Sequence, residues 1–214
     1  MKILITGSSS GIGRETALKF LSEQHSVIGI DVLPSTIKHK NYTHITADVC
    51  GELPEIDGVE ILVNNAGVQN SGRDIDVNLK GAIAVTEKYA MHPAIKSVVF
   101  IASASAETGS EFPEYVASKG GMVSYMKNVA LRIAKWGATS NSLSPGGVLT
   151  PLNQPVIDDP DKWRQIMDET PLRKWATAAE IAEWTYFVAV INKSMTAQNV
   201  LIDNGEAAKA NFIW

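Results

Sequence analysis

A single cysteine, Cys50, is the only thiol in the chain. One thiol cannot make an internal disulfide, so the fold does not rest on an oxidising compartment, and Cys50 reads as a bystander rather than a nucleophile. Charge of one sign is also scarce. Lys and Arg number 19 against 23 Asp and Glu, a formal net charge of -4, and no run of like charges occurs. Such a balance has no field that would gather nucleic acid or an anionic membrane. Long hydrophobic runs are missing as well. None approaches the roughly 20 residues needed to span a bilayer. The opening MKILITG is apolar only from Ile3 to Ile5, too short for the apolar region of a secretory signal. The expectation is a cytoplasmic protein without membrane or nucleic-acid partners. His25, His39, His44 and His92 share no metal-ligand spacing, so no metal is expected.

What is present is apolar material in a regular order. The 214 residues are 45% hydrophobic, enough for one domain with a full core. Short apolar runs at Lys2–Thr6, Val27–Asp31, Thr43–Ala47, Ile61–Asn64, Val98–Ala102, Ala138–Leu143 and Asn199–Asp203 read as strands. Between them lie helical patterns at Ile12–Gln24, around Ile75, Leu79 and Ile83, at Glu114–Trp136 and at Ala178–Val190. Alternation of this kind predicts an α/β fold, a doubly wound parallel sheet in a three-layer αβα arrangement. Segments such as KILIT and VVFIA are apolar throughout, as strands covered on both faces must be. No linker divides residues 1–214, which read as one domain. Pro151–Trp175 differs in texture, with four prolines and two tryptophans, and is expected to leave the sheet as a lid.

The first strand runs into Thr6-Gly7-Ser8-Ser9-Ser10-Gly11-Ile12-Gly13, and a helix pattern follows. Glycines there let the backbone turn sharply and approach a diphosphate, whose charge the helix N-terminus would hold. A glycine-rich loop alone is a weak signal. The strand before it, the helix after it and Asp31, 18 residues beyond Gly13, make it a Rossmann-like dinucleotide site. A carboxylate at Asp31 can accept both ribose hydroxyls and would repel a 2′-phosphate. Val32 follows where a basic residue would serve that phosphate, and Ser10 stands at another such position. NAD(H) is therefore expected over NADP(H).

The spacing TGSSSGIG resembles that of the short-chain dehydrogenase/reductase family more than GxGxxG. Other motifs follow in that family's order: Asp48-Val49, Asn64-Asn65-Ala66-Gly67, Val77-Asn78-Leu79-Lys80-Gly81, Ser103 after the fifth strand, Tyr115-Val116-Ala117-Ser118-Lys119 and NSLSPGGVLT from Asn141 to Thr150. Thr170-Pro171-Leu172-Arg173 and Asn199–Gly205 also fit. The resemblance covers nearly the whole chain. It implies that Asp48 and Val49 meet the adenine, that Asn65, Ala66 and Gly67 border the cofactor, and that Pro145, Gly146, Val148 and Thr150 lie at the nicotinamide. Only 16 residues separate Asp31 from Asp48, and ten separate Gly67 from Asn78. This chain thus resembles a shortened member, with one peripheral helix lost or reduced to a turn.

Tyr115 and Lys119 stand four apart and so share one face of a helix. A free tyrosine, with a pKa near 10, is a poor base at neutral pH. Bringing it to about 7–8 takes roughly 3–4 kcal/mol. One ammonium about 4 Å away supplies roughly 4 kcal/mol at an effective dielectric of about 20. Lys119 is therefore of the right size of effect to make Tyr115 an acid/base. Ser103 would donate to the substrate oxygen. The resemblance adds that Lys119 bonds the nicotinamide ribose and that Asn78 holds a water passing protons outward from Lys119. The expected reaction is alcohol–carbonyl interconversion. Gln69, Glu107, Glu111 and Leu152 are candidate substrate contacts. Trp163 and Trp175 fall in the lid, while Trp136, Trp184 and Trp214 read as core or interface aromatics.

Two other readings use the same residues: an NAD(H)-using epimerase or dehydratase, and a non-catalytic NAD(H)-sensing protein. The second has no need of Tyr115. A halohydrin-dehalogenase-like reading is disfavoured, since it would want an altered turn and an arginine at Lys119. The resemblance implies a homodimer or homotetramer. Helix faces at Ile75–Met91 and Glu114–Trp136 could pair across a two-fold axis, with Gly120-Gly121 allowing close approach.

Overall fold

A computed structural model describes residues 1–110 and 112–209. Strands β1 (Lys2–Thr6), β2 (Ser26–Asp31), β3 (Tyr42–Thr46), β4 (Ile61–Asn64), β5 (Ser97–Ile101), β6 (Thr139–Pro145) and β9 (Asn199–Ile202) form one sheet in the order β3-β2-β1-β4-β5-β6-β9. Every pairing in it is parallel. The order reverses between β1 and β4, so a crevice opens at the carboxyl ends of those strands. This is the doubly wound, three-layer architecture.

Helices cover both faces. Helix α1 (Gly11–Ser22) turns Ala17, Phe20 and Leu21 inward at helical spacing, into a cluster with Ile3, Ile5, Val27 and Val63. Helix α7 (Ala178–Tyr186) packs beside it, with Lys19 and Glu183 paired at 2.9 Å. On the other face lie α2 (Ala82–Tyr89) and α4 (Pro113–Ile133). Their inner sides, including Val85, Met122, Met126 and Val129, meet Leu4, Leu62 and Phe100. Proline at the first position of α4 starts that helix at no cost in hydrogen bonds. Thr177 and Glu180 close a reciprocal capping box on α7, in which Lys174 and the Thr177 amide hold the Glu180 carboxyl down to about 2. Thr177→Ala should cost about 1 kcal/mol in urea unfolding. An unchanged midpoint would show the cap to be idle.

The shortened connections are visible. Neither the segment 32–41 nor 47–60 contains a helix, so β3 is a half-exposed edge. A buried Ile37 enters the cluster beneath α1, so one side chain stands where a helix face would lie. Two helices differ from their sequence pattern. Ile75–Gly81 is π-helical before α2, and Phe187–Ile191 is π-helical after α7. Spacings of four, as in Ile75, Leu79 and Ile83, fit either winding for one turn, so the wider turn was not legible. Gly121 does allow close approach, but within the chain: a Cβ there would lie 2.8 Å from Leu79. A Cβ on Gly120 would meet nothing within 4 Å.

The excursion after β6 is more ordered than its prolines suggest. It holds β7 (Val148–Leu149), α5 (Gln154–Ile157) and α6 (Pro160–Glu169), and returns at β8 (Ala176–Thr177), which pairs with β7. Asp159 caps α6 by accepting from the Asp161 and Lys162 amides. Short α3 (Ser105–Thr108) follows β5.

Candidate active site

A cleft of about 1150 Å³ opens along the carboxyl edge of the sheet. Its walls come from the ends of β1, β2, β4, β5 and β6 and from α6. At the centre is the turn after β1. Gly7 and Gly11 have φ of +69° and +51°, which a side chain would disfavour. The Ser10 side chain makes no bond to the start of α1, so that helix N-terminus is presented to the cleft. Gly13 sits beneath the turn, where a Cβ would lie 2.0 Å from the Gly7 carbonyl oxygen and 2.4 Å from Asn65 Nδ2.

Asn65 serves that turn rather than facing outward with its amide. Its Nδ2 donates to the Thr6 and Gly7 carbonyls at 2.9 and 3.0 Å. Thr6 Oγ1 in turn accepts the Asn65 and Ala66 amides, both at 3.1 Å. These bonds tie the ends of β1 and β4 together across the switch point.

Asp31 ends β2 and is nearly buried. Its Oδ2 accepts the Ser9 amide at 2.8 Å and its Oδ1 the Leu33 amide at 2.9 Å. The two bonds aim the carboxylate, and each oxygen keeps a second lone pair. Val32 beside it is 60% exposed. Farther along, Asp48 Oδ1 accepts the Cys50 amide at 2.9 Å, and Oδ2 accepts Arg73 Nη2 at 3.1 Å. The amide first, then the guanidinium, hold the Asp48 carboxyl below its usual range. Burial, then Asp48, push the Cys50 thiol up, in keeping with a bystander. Arg73 lies in the shortened segment and lines the cleft, and it was not among the sequence candidates.

Ser103, Tyr115 and Lys119 all line the same cleft. Lys119 is 4% exposed. Its Nζ donates to the Ile101 carbonyl at 2.9 Å and lies 5.6 Å from the centre of the Tyr115 ring. Burial leaves that positive charge poorly screened. Asn78, in the π-helical turn, does not line the cleft. Its Oδ1 accepts the Val68 amide, and its Nδ2 donates to the Val68 carbonyl and to Ser118 Oγ, at 2.8, 2.9 and 3.0 Å. Gly67 fits between the two groups, since a Cβ there would sit 3.2 Å from Asn78 Oδ1 and 3.4 Å from Lys119 Nζ.

Of the remaining sequence candidates, Gly7, Ser10, Gly11, Ile12, Val49, Ala66, Gly67, Gln69, Pro145, Gly146, Val148, Thr150 and Leu152 line the cleft. Ser9 and Gly13 stand behind the turn. Glu107 is not among the residues that line the cleft. It points to Asn199 Nδ2 at 2.7 Å, and Asn199 Oδ1 accepts the Ser142 and Ser144 hydroxyls. Its carboxylate is drawn to the edge strand β9, a contact too distant in sequence to foresee. Glu111 and Trp214 lie outside the described residues. Trp175 lines the cleft and meets Trp163 edge-on at 5.1 Å, while Trp184 is 44% exposed on α7. Sequence reasoning missed Ser105, Thr108, Gln165, Glu169 and Lys209, all on the cleft wall. Glu169 and Lys209 pair at 2.9 Å. Among the described residues no cluster of His, Cys, Asp and Glu could hold a metal. No described helix is long and apolar enough to cross a membrane.

A helix N-terminus offered at the switch point of a parallel sheet, with an acidic residue closing the next strand, has the form of a dinucleotide-binding site. The comparisons are more specific. The family model for short chain dehydrogenases matches residues 1–161, and the chain belongs to that family. Glucose 1-dehydrogenase of Gluconobacter oxydans is 25% identical, with 99% of this chain and 93% of that protein covered. D-beta-hydroxybutyrate dehydrogenase of Rhizobium meliloti is 34% identical over 71% of this chain and 69% of its own length. The ligand-free aldohexose dehydrogenase of Thermoplasma acidophilum superposes with a TM-score of 0.87 at 25% identity, covering 100% of this chain and 96% of that one.

Proposed function

We propose that this protein is an NAD(H)-dependent oxidoreductase that interconverts a secondary alcohol and a carbonyl, with Tyr115 as acid/base. One observation carries the reading. Tyr115, the buried Lys119 ammonium and Ser103 share a cleft with a glycine turn whose floor a Cβ would fill. The turn and the start of α1 would hold the diphosphate, Asp31 the adenosine ribose, Asp48 and Val49 the adenine, and Lys119 the nicotinamide ribose. Val148 and Thr150 would border the carboxamide. When bound, the nicotinamide supplies the hydride acceptor or donor.

The chain's own residues handle the proton and the oxygen. Lys119, fixed by the Ile101 carbonyl, favours the ionised phenol of Tyr115. Tyr115 then takes the alcohol proton, or returns it to a forming alkoxide. Ser103 donates to that oxygen. Asn78, which braces the loop at Val68, would hold a water that passes protons outward from Lys119. The lid from Pro151 to Trp175 shields the substrate, with Gln69 and Leu152 as contacts. The same reading takes the protein as cytoplasmic and as a homodimer or homotetramer. Exposed Leu131 on α4 supports such an association.

The test is a panel of alcohols and ketones, followed by absorbance with NAD(H) and NADP(H). Stoichiometric NADH formation is expected. Charge-assisted bonds to Asp31 of about 1.5–3 kcal/mol each should favour NAD(H) by roughly 10–100-fold in kcat/KM. Equal use of NADP(H) would overturn the cofactor assignment. Val32→Arg, at an open position, should narrow the gap.

A further inference from the structure

We infer that Ser105 is a positioning residue that locks Ser103 as a hydrogen-bond donor to the reacting oxygen. The inference rests on the role given to Ser103 above. Both serines line the cleft, and both are nearly buried, at 8% exposure for Ser103 and 3% for Ser105. Ser105 begins α3 directly after the turn that carries Ser103. Its hydroxyl donates to Ser103 Oγ at 2.9 Å, and its backbone amide donates to the same oxygen at 3.2 Å.

A hydroxyl has two lone pairs and one proton. Ser105 occupies both lone pairs of Ser103. The one proton left must point elsewhere, and the cleft is the open side. Ser103 held in this way can donate and cannot accept. A substrate oxygen that meets it must therefore be the acceptor. An alcohol substrate cannot give its proton to Ser103. That O–H bond breaks toward the Tyr115 phenolate oxygen, and Ser103 keeps its own proton throughout. An oxygen that accepts two hydrogen bonds also donates more strongly through its own O–H, which suits a partner whose negative charge grows.

The surrounding backbone holds this pair in place. The Ala104 amide donates to the Pro145 carbonyl at 2.8 Å, and the Ala106 amide to the Ser103 carbonyl at 3.0 Å. The turn is thus tied to β6 on one side and to α3 on the other. The Ser105 carbonyl closes α3 by accepting the Gly109 amide at 2.9 Å, and its side-chain hydroxyl is given to Ser103 Oγ. A second hydroxyl at this position has a chemical role that a packing residue would not need.

The experiment compares wild type with Ser105→Ala, Ser105→Thr and Ser103→Ala. The carbonyl probe is phenanthrene-9,10-quinone, an activated dicarbonyl that asks little of substrate recognition. Reductant is NADH, or NADH deuterated at the transferred position. Ser105→Ala should lower kcat about tenfold, the value of one lost hydrogen bond to a charge-bearing group. Its NADH affinity by fluorescence should stay within about twofold of wild type, since no cofactor contact is changed. The deuterium isotope effect on kcat should rise, because the slowed step is the chemical one. Ser105→Thr keeps a hydroxyl and should retain most of the rate. A crystal structure of Ser105→Ala should show Ser103 Oγ in a second rotamer. Wild-type kcat and isotope effect in Ser105→Ala, with Ser103→Ala slow, would overturn this inference alone. So would parallel losses of rate and NADH affinity in Ser105→Ala. Silence of Ser103→Ala, or absence of any turnover by wild type, would remove the reading beneath it.

Discussion

Tyr115→Phe should lower turnover by about 10²–10⁴-fold, the usual contribution of a positioned acid/base, while NADH affinity stays within about twofold. The substitution removes one oxygen and leaves the ring. Lys119 keeps its bond to the Ile101 carbonyl and its place 5.6 Å from the ring centre, so the cleft should hold its shape. What is lost is the hydroxyl beside the Lys119 ammonium to which the proposal gives the proton. Ser103 cannot replace it, since Ser105 already fills its acceptor sites. The measurement is initial rate with the best substrate of the panel, beside a fluorescence titration with NADH. Activity comparable to wild type would end the assignment of Tyr115, and with it the proposed mechanism.

Gly13→Ala should be strongly damaging for a single added methyl. A Cβ at that position would stand 2.0 Å from the Gly7 carbonyl oxygen and 2.4 Å from Asn65 Nδ2. The first obstacle is backbone, and the second is the amide that bonds Thr6 and Gly7 across the switch point. Neither can move without opening the turn. Helix α1 would have to lift from the sheet, carrying Phe20 and Leu21 away from their cluster. Overpacking of about 3 kcal/mol corresponds to a melting temperature lower by roughly 6–12 °C for a chain of this size. NADH binding should fall below detection, because the same displacement moves the helix N-terminus. Thermal unfolding and NADH titration check both. Melting and binding like wild type would show that the turn does not have the geometry described here.

Much of this molecule could be read from the order of residues. Strands covered on both sides are apolar throughout, so β1, β2, β4 and β5 announced themselves. The glycine turn and Asp31 have a local logic: a sharp bend, a helix start, and an acid at the end of the next strand. Tyr115 and Lys119 are four apart on a long helix and must share a face. The missing helix between β2 and β3 followed from chain length alone. Where sequence failed, the failing contact was long in sequence or fine in geometry. Glu107 was drawn away by Asn199 on the edge strand. Arg73 found Asp48 across a loop. The contacts of Asn78 with Val68 and Ser118, ten and 40 residues away, could not be read from spacing.

Local chemistry decided the layers, the turn and the shared face of Tyr115 and Lys119, because each depends on spacings of a few residues that one helix or strand converts directly into position. Tertiary structure alone decided which side of each polar group is already taken. Asn65 belongs to the turn, Asp31 is aimed by two amides, and Ser103 has its lone pairs filled. The contacts of Asn65, and of Asp31 with Ser9, depend on where separate segments meet to within an ångström, those of Ser103 on the fine geometry of one turn, and hydrogen bonds have a direction as well as a length. A string of residue types carries the donors and acceptors, but only packing chooses among their partners.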